Sequence, residues 1–100
     1  MARKKSKIEY PKEIKYNSTK HGLVTYAISF TDLTDCVGLC DPNAREIKIQ
    51  RGMSRQKTLE TFVHELLHVI EFEDEIPNFT HWHIRKLDVG LTKLLTENFL

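Results

Sequence analysis

Residues 61–75 read TFVHELLHVIEFEDE. His64 and His68 are four positions apart, and Glu65 directly follows the first. In a helix this spacing sets both imidazoles on one face, one turn apart, where they can reach a single metal ion. Zn²⁺ accepts histidine nitrogens at about 2.0 to 2.1 Å. Glu65 stands three residues before His68, beside the pair but off its line, which suits a base that holds a zinc-bound water better than a ligand. Zinc lowers the pKa of such a water towards about 7; Glu65 would take its proton during attack on a carbonyl and pass it to the departing amine. Given the His and Glu content of this chain, H-E-x-x-H would arise in roughly 2% of shuffled sequences. The zinc reading therefore outweighs the alternative of two unrelated surface histidines.

A catalytic zinc usually has three protein ligands and a water, so one ligand is still missing. Glu71 shares the helical face but lies seven residues beyond His64, too far along the axis, and is read as a support for the ligands or a solvated charge. Asp74 follows His68 by six positions, as the third ligand of a metzincin-like site would, but that pattern needs a Gly where Glu71 stands. Asp74 and Glu75 are expected to form a solvated acidic turn. His81 and His83 remain, in NFTHWHIRKLD. They flank the apolar stripe of the next helix from opposite sides, so periodicity does not choose between them.

The elements that must hold these residues follow from pattern. One hundred residues, 40% hydrophobic and 29% charged, suit a single small α+β domain spanning 1–100 with one modest core. Segments 7–16, 24–30 and 45–50 are β-branched or aromatic and partly alternating, and are expected to be strands. Asp41, Pro42 and Asn43 signal a turn, so VGLC and REIKI should form a hairpin with Gly38 inside or next to its first strand. Ser54 is the expected N-cap of a helix in which Leu59, Phe62, Val63, Leu66, Leu67 and Ile70 form an apolar stripe. His64 and His68 lie roughly opposite the centre of that stripe, where a histidine buried only to fill the core would not sit. Pro77 separates this helix from a second one at about 80–98, with the stripe Ile84, Leu87, Leu91, Leu94 and Leu95.

Charge is unevenly distributed. The first twenty residues carry seven Lys/Arg and two Glu, and residues 1–7 are expected to be a flexible basic tail. The formal net charge of +1 argues neither for nor against nucleic acid; a phosphate-contacting arm is the lesser reading of the basic end, and nucleic acid is not an expected partner. No apolar run approaches the roughly 20 residues of a membrane span, and MARKKSKIEY lacks the apolar stretch of a signal peptide. A cytoplasmic setting without a membrane partner is expected. Two cysteines, Cys36 and Cys40, are too few for a disulfide framework and are expected to be buried free thiols.

The run GLCDPNAREIKIQRGMSRQKTLETFVHELLHVIEFEDEIPNFTHWHIRKLDVGL resembles the small phage and bacterial zincin-type metallopeptidases. Their pattern is a Gly-x-Cys-Asp strand, a turn, a second strand, a helix bearing HELLH, an Ile-Pro turn and a helix of the form H-x-x-I-x-x-L-[DE]. Here these correspond to Ile76 and Pro77, then His81, Ile84, Leu87 and Asp88. Two extra residues between Pro77 and His81 depart from the pattern's spacing. The resemblance spans roughly residues 38–95. It implies a minimal zincin-like fold, a small antiparallel sheet packed on the HExxH helix with a second C-terminal helix closing the site. It also implies His81 as the third zinc ligand, and Asp88 as its supporting partner or a rival ligand, with His83 the other alternative.

The expected activity is zinc-dependent hydrolysis of a peptide or protein substrate with Glu65 as general base. The alternative is a non-catalytic, zinc-stabilised binding or regulatory module, because small chains often need such a staple. The REIKI strand or its hairpin partner is expected to offer an edge to an extended peptide. Phe79 and Trp82 are packing residues or pocket walls, and the chemistry of His83 and Tyr26 would suit stabilisation of an oxyanion.

Overall fold

Alternation along residues 13–31 builds the first two strands of the structure, a computed structural model that describes residues 8–100. The basic tail expected at 1–7 lies outside the described residues. Strands β1 (Glu13–Ser18) and β2 (Gly22–Thr31) pair antiparallel, with Ile14 opposite Tyr26. Val24, Tyr26 and Ile28 point into the core, and the intervening residues face outward. The first strand begins at Glu13 and not at residue 7, because Pro11 has no N–H to give to a ladder. Upstream of it, Ile8 and Tyr10 leave the sheet and pack beneath the helices.

Strands β3 (Gly38–Asp41) and β4 (Glu46–Gln50) form the expected hairpin. Its turn is held by the Asp41 carboxylate, which accepts from the N–H groups of Asn43 at 3.0 Å and Ala44 at 3.2 Å. Strand order is β1-β2-β4-β3, and β2 runs parallel to β4. The sheet is therefore mixed, which corrects the antiparallel expectation. The chain leaving β2 passes over to the outer side before turning back, so β3 takes the edge and β4 the interior. Ile47 and Ile49 of β4 are fully buried, each contributing about 1.5 to 3 kcal/mol by leaving water. REIKI is thus an internal strand; the edge beside the helices is its partner, β3.

Helix α1 (Arg55–Asp74) starts at Ser54, whose Oγ accepts from the Lys57 N–H at 3.1 Å. It is buried on two sides. Val69, with half-buried Phe62 and Leu66, packs on Val24, Tyr26, Ile28, Ile47 and Ile49 of the sheet. Leu59, Val63 and Leu67 meet Ile84 of helix α2 (His81–Asn98). The order of layers is therefore sheet, α1, α2. Only part of the stripe expected for α2 is used: Ile84 is buried and Leu95 half-buried, whereas Leu87, Leu91 and Leu94 are exposed. The buried line along α2 is Ile84, Asp88 and Thr92, at i+4 spacing, with a carboxylate in its middle. Among the described residues no helix is long and apolar enough to cross a membrane.

Candidate metal centre

His64 and His68 stand on α1 one turn apart, with ring centroids separated by 4.9 Å. Helix α1 ends at Glu75 in the left-handed conformation, and a second left-handed residue, Asn78, turns the chain back beside it. Thr80 then opens α2, and its first residue, His81, reaches the pair. The His81 centroid lies 4.9 Å from that of His64 and 5.4 Å from that of His68. One ligand atom from each of the three lies within 4.8 Å of the others, the one such cluster among the described residues.

His83 does not join them. Its Nδ1 accepts from the Thr80 N–H at 3.1 Å and lies 2.9 Å from the Thr80 hydroxyl, so it caps the helix, and its ring stacks on Phe79. Phe79 packs against the α1–α2 core, while Trp82 is exposed with the Lys86 ammonium above its ring.

Two carboxylates orient the α1 imidazoles. Asp88 Oδ2 lies 2.6 Å from His64 Nδ1, and Glu71 Oε1 lies 2.8 Å from His68 Nδ1. A carboxylate accepting from Nδ1–H leaves Nε2 with its lone pair free, the tautomer a metal needs. Asp88 and Glu71 therefore support the imidazoles and are not themselves in the cluster. Desolvation, helped by the nearby charges of His64, His68 and Arg85, holds His81 below the usual histidine range, which favours the neutral, ligating form.

Glu65 is only 5% exposed, on the sheet-facing side of α1. Burial pushes its carboxyl above the ordinary value, partly opposed by His64 and His68. Its carboxylate lies against the start of β3, where a Cβ on Gly38 would come within 2.5 Å of Glu65 Oε2 and 2.6 Å of Thr61 Cγ2. The glycine thus permits close contact between the edge strand and this acid. A cleft of about 350 Å³ opens above, walled by Val37 and Gly38 on one side, Lys57, Thr61, His64 and Glu65 of α1 on another, and His81 and Arg85 of α2 on a third.

Other residues lie elsewhere than expected. Asp74 is not merely solvated: it accepts from the Tyr16 hydroxyl, and from the Thr19 N–H at 2.8 Å and its hydroxyl at 3.1 Å, tying the end of α1 to the β1–β2 hairpin. Glu75 lies 3.2 Å from His21 Nε2. Cys36 is exposed at the cleft rim, contrary to the expected burial, and Cys40 is half-buried; both are free. Burial first, and then the negative charge of Glu65, push the Cys40 thiol up to about 12, leaving it unreactive.

Glu73 was not singled out by motif or stripe, yet it is the most buried acid of α1. It accepts from the Tyr26 hydroxyl at 2.6 Å and from Arg45 at 3.3 and 3.4 Å, and its other contact is His21 at 3.1 Å. The i+4 line Thr61, Glu65, Val69, Glu73, buried throughout, is the signal that could have found it. Tyr26, engaged there, is not placed to stabilise an oxyanion. Arg85, by contrast, lines the cleft one turn beyond His81.

Compared with family models, curated proteins and solved structures, the chain matches none.

Proposed function

We propose that the chain is a zinc-dependent metallopeptidase of the minimal zincin type. His64, His68 and His81 hold the metal, Glu65 is the general base, and the substrate is a peptide or protein. The reading is carried by the convergence of three imidazoles from two helices beside a buried carboxylate of raised pKa. Three histidines are a donor set that would suit a catalytic zinc. When bound, zinc supplies Lewis-acid chemistry at this position.

The chain's own groups account for the remaining requirements. Asp88 and Glu71 hold two imidazoles in the ligating tautomer. Glu65, whose carboxyl burial holds above its ordinary value, takes the proton of the attacking water and returns it to the amine leaving group. Strand β3 is an edge of the sheet, and its outer side offers unpaired backbone groups to an extended peptide running past Glu65. A cytoplasmic setting is part of this proposal.

A zinc-stabilised binding module would use the three histidines equally well but would have no task for Glu65. Elemental analysis and peptide hydrolysis of the Glu65→Gln protein separate the two. Retained zinc with hydrolysis abolished supports the peptidase; zinc-loaded wild-type protein that cleaves no peptide in a mixed library sinks it. Failure of the wild type to take up zinc, or uptake that survives in His64→Ala and His81→Ala, sinks both.

A further inference from the structure

Two of the three carboxylates that line the cleft are hydrogen-bonded away from its cations, and the third is buried against the edge strand. Asp88 is on His64 Nδ1, Glu65 is buried against Gly38, and Glu60 accepts from Gln56 Nε2 at 3.4 Å. The two cations of the same cleft are not so engaged. The side chains of Lys57, two turns before His64 on α1, and Arg85, one turn after His81 on α2, take no hydrogen bond or ion pair among the described residues. Among the described arginines outside the cleft, Arg45 holds Glu73 and Arg51 holds Asp32. Two cations without an ion-pair partner among the described residues, one on the α1 wall and one on the α2 wall of the cleft that His64 and His81 also line, offer a receptor for an anion presented by whatever occupies the cleft.

We propose that Arg85, assisted by Lys57, binds a carboxylate of the substrate, so that the preferred peptide carries a negative charge next to the bond presented to the histidine cluster. The guanidinium offers paired N–H donors matched to a carboxylate, whereas the ammonium acts as a point charge. The carboxylate belongs either to an acidic side chain or to a free C-terminus. This proposal deepens the peptidase reading and rests on it for the peptide nature of the ligand.

The test uses full-length Glu65→Gln protein, zinc-loaded and metal-free, with zinc content measured separately. Three probes are titrated by calorimetry at low salt: acetyl-Phe-Leu with a free C-terminus, the same peptide as its amide, and acetyl-Phe-Glu amide. At least one anionic probe is expected to bind about tenfold more tightly than the neutral amide, an advantage that falls with added salt. Which anionic probe gains identifies the source of the carboxylate. Arg85→Gln should remove most of the advantage and Lys57→Gln a smaller part; both side chains are exposed, so these variants are expected to fold. Equal binding of all three probes, no binding of any, or an advantage intact in the Arg85→Gln/Lys57→Gln double variant would overturn the proposal. The last outcome would place the carboxylate on the metal. If zinc uptake itself fails, the peptidase reading falls on that measurement, and the probes with metal-free protein still decide whether Arg85 selects a carboxylate.

Discussion

His64 Nδ1 lies 2.6 Å from Asp88 Oδ2, so a single contact both orients an imidazole of α1 and fastens α2 across it. Ile84, fully buried one turn earlier on α2, sets the depth at which Asp88 reaches the histidine.

Asp88→Asn is expected to weaken zinc binding about 10- to 100-fold, because the amide no longer fixes the tautomer or raises the basicity of His64. Competition with a chelating dye measures this. An unchanged affinity would mean that His64 needs no partner.

Zinc should stabilise the fold. At a hundredfold excess of free zinc over its dissociation constant the gain is about 2.7 kcal/mol, visible as a rise in melting temperature that a chelator reverses. His64→Ala and His81→Ala should lose this response. His83→Ala should keep it and lose only about 0.5 to 2 kcal/mol, the worth of its cap on Thr80.

Gly38→Ala tests the approach of β3 to α1. The added Cβ would meet Glu65 Oε2 at 2.5 Å and Thr61 Cγ2 at 2.6 Å, so the acid must leave its place or the strand must shift. A loss of about 1 to 3 kcal/mol in urea unfolding is expected, with zinc affinity little changed and any peptide hydrolysis lowered through kcat. Wild-type stability and turnover in this variant would show that the strand yields freely.

Glu73 makes the fold acid-sensitive. Burial alone would raise its pKa, but the hydrogen bonds from Tyr26 and Arg45 and the contact with His21 outweigh it, and the carboxyl lies below its ordinary 4.5. A depressed folded-state pKa means the stabilisation is complete above the unfolded value and is lost as pH falls through the folded one. Urea midpoints followed from about pH 6 to about pH 3 should therefore drop, and less steeply in Glu73→Gln. At neutral pH, Glu73→Ala should cost about 2 to 3 kcal/mol, since it leaves the Tyr26 hydroxyl buried without its acceptor. A neutral effect would show that water replaces the carboxylate.

Local order was legible in the residues themselves. The 3.6-residue period puts His64 and His68 on one face whatever surrounds them, Ser54 caps because its hydroxyl reaches an N–H three residues on, and Asp41 makes its turn through its own backbone neighbours. These depend on bonds between residues close in the chain. The choice between His81 and His83 did not: both flank the same stripe, and only the two left-handed residues at Glu75 and Asn78, with Thr80 capped by His83, set which imidazole comes back to α1. Strand order is likewise non-local. Nothing within REIKI distinguishes an edge from an interior strand until the chain between β2 and β3 carries β3 to the outside. The burial of Glu73 and the meeting of Lys57 with Arg85 across one cleft also belong to tertiary structure, because each joins side chains whose proximity is set by how layers pack and not by their spacing in sequence.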